Sequence, residues 1–234
     1  MTPQVFGHAC LTTMATTMET VYDPNSFNNL PLIGQAAARF TDINGEHVVS
    51  TTFRDLFVRH KMDRTFGLAL LHRHFELDVN ERLVEYRGTS VPWAVNQLAA
   101  HIKPSSWLIS AMGTVHPYEF YHSLSDEGPT LDLGNPHQQA FLTEFAEVLS
   151  QHNAQGLFGL CRYPGDDFKG RIEITQGRSN INLIPEDYPR NLGDRTSNAA
   201  WFFSPPLVNF KCICPCSYAG GGHSGNHGGH RDVT

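Results

Sequence analysis

Two spacings of apolar residues divide the chain into helical and extended segments. Phe53, Leu56, Phe57 and His60 recur three and four positions apart, the interval that stacks side chains on one helix face, and Thr51 or Thr52 can cap the start. Phe141, Leu142, Phe145, Val148, Leu149 and His152 repeat that stripe after Asn135, a good N-cap, and Pro136, which suits a first helical position. This second helix should stop before Gly156. The run FGLALLHRHFEL over residues 66–77 reads instead as a central strand that turns polar where it leaves its sheet. After a turn at 78–81, residues 83–86 read as an antiparallel return strand. Further strands are predicted at 107–111, 118–122 and 157–161, a hairpin at 171–175 and 181–184, and a last strand in 201–203 or 207–210. Few helices and many short turns predict an α+β domain with a mainly antiparallel sheet and two or three helices. The organisation expected is a flexible arm over 1–29, a single α+β domain over 30–218 and a disordered Gly/His-rich tail over 219–234.

Composition narrows the class. With 234 residues, 40% apolar and 17% charged, the chain is of globular type. Its 17 basic and 23 acidic side chains leave a net charge of -6 with no basic stripe, which argues against a nucleic-acid partner. The first residues lack the basic start and apolar core of a signal peptide, and no apolar stretch reaches membrane-spanning length. Cysteines are scattered except for Cys212, Cys214 and Cys216, so a reduced, cytoplasmic protein is expected. Histidine is the residue out of line, at 13 copies, of which His223, His227 and His230 fall in the tail.

The candidate chemistry follows from strand geometry. Alternation puts His72, His74 and Glu76 on one face of an extended segment, with Arg73 and Phe75 on the other. Positions two apart are separated by roughly 6.6 Å, which two imidazoles can close onto one ion. A divalent metal, zinc or iron, is the implied cofactor, completed by a third ligand from His60, His116, His122, Glu76 or Glu119. Glu76 and Glu119 are the candidate catalytic carboxylates. A cupin motif would require a glutamate just beyond the second histidine, where Asp78 and Val79 stand; a 2-oxoglutarate oxygenase pattern lacks its distal histidine ahead of Arg195-Thr196-Ser197. Nucleophile-elbow, zincin and phosphate-loop motifs are absent. Cys161, in an apolar strand beside Arg162, reads as a buried thiol. The cysteines and histidines of 212–230 are soft ligands without the turn that a Cys-x2-Cys knuckle provides.

Residues 66–77 together with 83–86 resemble a group of uncharacterised proteins from filamentous fungi. The resemblance implies a setting in specialised metabolism and assigns no activity. The function expected is a metal-dependent enzyme acting on a small organic molecule through the His72-x-His74 pair. The alternative is a non-catalytic small-molecule-binding or accessory protein with structural histidines and an aromatic pocket around 116–122.

Overall fold

A computed structural model describes residues 22–125, 128–187, 196–204 and 208–213. The helices are α1 (Pro24–Asn28), α2 (Ile33–Asp42), α3 (Gly45–Val48), α4 (Arg54–Arg59) and α5 (Pro136–Gln151), with a π turn at Val49–Phe53 linking α3 to α4. The strands are β1 (Phe66–Leu70), β2 (Glu81–Tyr86), β3 (Thr89–Ala94), β4 (Ile102–Ile109), β5 (Val115–His122), β6 (Phe158–Arg162), β7 (Arg171–Gln176), β8 (Ser179–Leu183), β9 (Thr196–Phe202) and β10 (Val208–Ile213). They form one closed barrel in the order β1-β6-β4-β5-β2-β3-β8-β7-β10-β9.

The protein is therefore α+β, but its sheet is mixed and curled, and it carries more helical segments than two or three. Two junctions are parallel, β2 with β5 and β7 with β10. The first arises because the β2–β3 and β4–β5 hairpins lie side by side, so β2 meets a strand of the next hairpin. β2 consequently pairs with β3 and β5, and the expected return pairing with β1 does not form. Pairings of this kind join residues far apart in the chain and leave no local periodicity to read. Strand β3 was hidden by Pro92 and α2 by its weak apolar content, whereas the α5 limits follow the sequence: Asn135 accepts from the backbone N–H of His137 and Gln138. The folded part also begins earlier than residue 30. Phe27 of α1 is buried, and the Asn28 amide exchanges hydrogen bonds of 2.8 and 2.9 Å with the backbone of Leu77. The tail 219–234, with its three histidines, lies outside the described residues, as do Cys214 and Cys216.

Helices and sheet share their apolar core on the outside of the barrel. Phe53, Phe57, Phe141 and Phe145 pack against Phe66, Leu68, Trp107, Phe158, Leu160 and Trp201 of β1, β4, β6 and β9. Each fully buried phenylalanine stabilises by about 1.5–3 kcal/mol relative to exposure. Among the described residues no helix is long and apolar enough to cross a membrane. Facing inward, Ala69 and Ala200 line the lumen, while Gly67 and Gly159 let Phe202 and Leu71 pack closely against the same wall. A Cβ added at Gly159 would lie 2.5 Å from the Trp107 carbonyl oxygen and 2.7 Å from Leu71 Cδ2. Gly159→Ala should therefore destabilise the fold by about 1–3 kcal/mol in urea unfolding; a midpoint equal to the parent's would show that the wall is not close-packed there.

Candidate metal centre in the barrel lumen

The lumen holds a cavity of about 230 Å³. One end is plugged by Phe27, Leu30, Leu71, Phe75, Leu77, Leu83 and Tyr118. The plug forms because β1 ends at Leu70 and the chain changes partner. Arg73 N–H donates to Pro31 O at 2.9 Å, Leu32 and Arg73 form an isolated parallel bridge, and Arg73 Nε donates to Leu30 O at 3.1 Å. Leu71 N–H still donates to Leu157 O ahead of β6 at 2.8 Å, but from Arg73 to Leu77 the backbone is tied chiefly to α1 and its following loop.

Extended geometry persists over this segment long enough to keep His72 and His74 on one side. His72 Nδ1 donates to Leu70 O at 2.7 Å. A carbonyl only accepts, so the proton sits on Nδ1 and Nε2 presents its lone pair. His72 Nε2 lies 3.2 Å from His74 Nε2, the rings crossing at 86°, and His74 Nε2 lies 2.8 Å from Glu173 Oε1. One ligand atom from each of His72, His74 and Glu173 lies within 4.8 Å of the other two. Ligand atoms on a tetrahedral zinc ion with bonds of about 2.0–2.1 Å sit roughly 3.3 Å apart. The trio therefore fits an ion after small side-chain adjustments. His72 and Glu173 line the cavity, so a coordination position left open by the three would face the lumen.

The sequence-chosen residues divide. His72 and His74 come together as expected. Glu76 does not join them: its side chain is 71% exposed and pairs with Arg73 at 3.3 Å, because the chain turns at 74–75 and ends the alternation. His122 sits in an aromatic group with Tyr86, Trp93 and His101 at the opposite end of β5 from Val115. His116 lies against Leu108 in the β4–β5 ladder and lines a separate surface depression with Leu30 and Leu71. His60 meets Glu144 of α5 at 2.6 Å. The third donor is Glu173, which sequence reasoning missed. Its only signal is the alternation of Arg171, Glu173 and Thr175 against Ile172 and Ile174 on β7. In an open hairpin that polar face would be solvated; closure makes it the lumen wall, leaving Glu173 at 9% and Thr175 at 3% exposure.

Glu119 also faces the cavity, as a paired bulge at Ser105 and Tyr118 brings it opposite Ser106. Ser106 Oγ donates to Glu119 Oε2 at 2.8 Å. Burial, reinforced by the negative charge of Glu173 and opposed by the Ser106 hydrogen bond, pushes the Glu119 carboxyl up to about 7. It is poised to give or take a proton near neutrality. Burial and the neighbouring His74 hold His72 down at about 4, so it is a neutral imidazole. The Cys161 thiol, also on the wall, is pushed up to about 12 by burial and the Glu119 charge and is no nucleophile. Asn182 Oδ1, opposite Glu173 in the β7–β8 ladder, is buried with no hydrogen-bond partner among the described residues and lines the same cavity. An acceptor left so costs about 1–3 kcal/mol, which a ligand donor would recover.

No family model, curated protein or solved structure matches the chain. The case for a site therefore stands on this geometry.

Between pH about 4.5 and 7 the unfolded chain has released the Glu119 proton while the folded chain keeps it, so this group's contribution to stability falls as pH rises through that window. Glu119→Gln removes the titration. In chelator-treated protein, its urea-unfolding stability relative to the parent should rise steadily from pH 5 to pH 8. A pH-independent difference would mean that Glu119 ionises as an ordinary surface carboxyl.

Proposed function

We propose that the protein is a metal-dependent enzyme acting on a small organic molecule held in the barrel lumen. Zinc or iron is bound by His72, His74 and Glu173, and Glu119 serves as the proton donor or acceptor. The observation that carries this reading is the convergence of two imidazoles and one carboxylate on the wall of a cavity. Two histidines and a carboxylate suit zinc with an open position, and equally a non-haem iron site. Such an ion supplies Lewis acidity, with an acidified water if it is zinc and redox chemistry with dioxygen if it is iron. The protein's own part is to fix the His72 tautomer through Leu70 O while burial keeps the ring neutral, to exclude bulk water at one end with the plug of Phe27, Phe75 and Leu77, and to keep a protonatable carboxyl within the same chamber. The fungal resemblance of residues 66–77 supports placing this activity in specialised metabolism.

A second reading draws support from the direct 2.8 Å contact of His74 with Glu173. Here the histidines are a hydrogen-bonded structural pair, and the lumen binds a small molecule without transforming it. Metal analysis of the purified full chain separates the two. After incubation with Zn(II) or Fe(II) and desalting, the parent should retain close to one equivalent. The variant His72→Ala/His74→Ala and the variant Glu173→Gln should each retain little, while Glu76→Gln and a variant with His223, His227 and His230 all changed to Ala should retain the parental amount. A parent free of metal, or an equivalent that survives in His72→Ala/His74→Ala, overturns the metal reading.

A further inference from the structure

We propose that the molecule bound in the lumen is a small organic acid, whose carboxylate is held by Arg162 and Arg171 on the cavity wall. This rests on the reading of the lumen as the ligand site, and does not require the metal.

β6 runs antiparallel to β1 with Arg162 opposite Phe66, so Arg162 lies at the end where β1 begins and away from Leu70 and His72. β9 is antiparallel to β1, β10 is antiparallel to β9, and β7 is parallel to β10, so β7 runs in the direction of β1 and Arg171 opens it, two residues before Glu173 on the same inward face. Both arginines line the cavity. From Phe66 to Leu70 the barrel spans about 13 Å, which separates Arg162 from the histidines, whereas Arg171 stands two strand positions, roughly 6.6 Å, from Glu173.

Their partners leave them able to take an anion. Arg59, Arg64, Arg73 and Arg178 each pair with a carboxylate: Glu144, Asp166, Glu76 and Glu81 respectively. Among the described residues Arg162 and Arg171 do not. Their guanidinium carbons instead lie 4.2 Å from the centre of the Tyr121 ring and 5.8 Å from that of Phe168. A guanidinium stacked on a ring uses its face and keeps its in-plane N–H fork for a carboxylate. The acids in the lumen are otherwise engaged: Glu85 accepts from Gly88 N–H at 2.6 Å, Glu173 from His74, and Glu119 from Ser106. The rings of Tyr121 and Phe168 and the side chain of Phe202 give the acid an apolar bed. The 230 Å³ cavity equals the volume of about eight waters at roughly 30 Å³ each, a size suited to an acid of about that many non-hydrogen atoms.

Hexanoate meets this description, and calorimetric titration of the full chain with hexanoate, hexanol and hexylphosphonate tests it. Hexanoate should bind at least tenfold more tightly than hexanol and more tightly than hexylphosphonate. In Arg162→Gln/Arg171→Gln the preference for hexanoate over hexanol should vanish, and Arg162→Lys/Arg171→Lys, which keeps the charges but not the forks, should lose most of it. No binding of hexanoate, equal binding of hexanol, or unchanged hexanoate affinity in a folded glutamine variant overturns the proposal. Tighter binding of the phosphonate overturns it in favour of a phosphate ester. If the variants do not fold, the ligand series on the parent decides alone. Metal content is read on the same samples: protein that holds metal but ignores hexanoate refutes only the acid, and protein that binds hexanoate without metal refutes only the metal centre.

Discussion

Closure of the sheet governs what every other part of this molecule can do. A barrel has no free edge, so all its strands are satisfied by neighbours and its inner face is set apart from the outer surface. Two meeting points complete the ring: Leu68 with Trp201 and Ala69 with Ala200 between β1 and β9, and Thr89 with Ile181 and Ser90 with Asn180 between β3 and β8. With the ring complete, inward side chains must either pack the lumen or line a chamber. Ala69 of β1 and Ala200 of β9 are small enough to leave a chamber. Outside, Phe53, Phe57, Phe141 and Phe145 hold the helices to the barrel wall.

The chamber then acts on the chemistry of what lines it. A carboxyl near the surface would ionise well below neutrality; inside, burial and Glu173 raise Glu119 to about 7. The same burial keeps His72 neutral and Cys161 a thiol. Polar groups come from around the whole ring: Arg162 and Cys161 from β6, Glu119 from β5, Glu173 from β7 and Asn182 from β8, with His72 just beyond β1. The lumen is thus a low-dielectric compartment with reactive groups distributed around its wall. That arrangement suits a site better than a store of folding energy, since unpartnered Asn182 Oδ1 and closely spaced Glu119 and Glu173 each detract from stability.

Legibility in the sequence tracked how local the cause was. α5 could be read from its stripe and its Asn135–Pro136 start, and the β7–β8 hairpin from its alternation around Gly177, because both are decided within a few residues. His72 and His74 could be paired for the same reason: two positions apart in an extended chain is a local fact. Glu76 failed because the strand ended at Leu70 and the chain instead docked on residues 28–32, which no spacing announces. Glu173 was invisible because its distance from His74 in sequence is bridged only by closure, and because a polar strand face is read as solvated unless the sheet is known to be round. The parallel β2–β5 and β7–β10 junctions escaped on the same ground.

The short β1–β9 and β3–β8 meeting points, with the equally brief β4–β6 junction at Ser106 with Cys161 and Trp107 with Leu160, divide the ring into three panels. His72 follows the β1–β6 panel, Glu119 belongs to the β4–β5–β2–β3 panel and Glu173 to the β8–β7–β10–β9 panel. The lumen site is therefore assembled across every hinge line of the wall and exists only while all three panels are in register. Anything that grips these residues together also rivets the panels, so that occupancy and the mechanical stiffness of the barrel are one property.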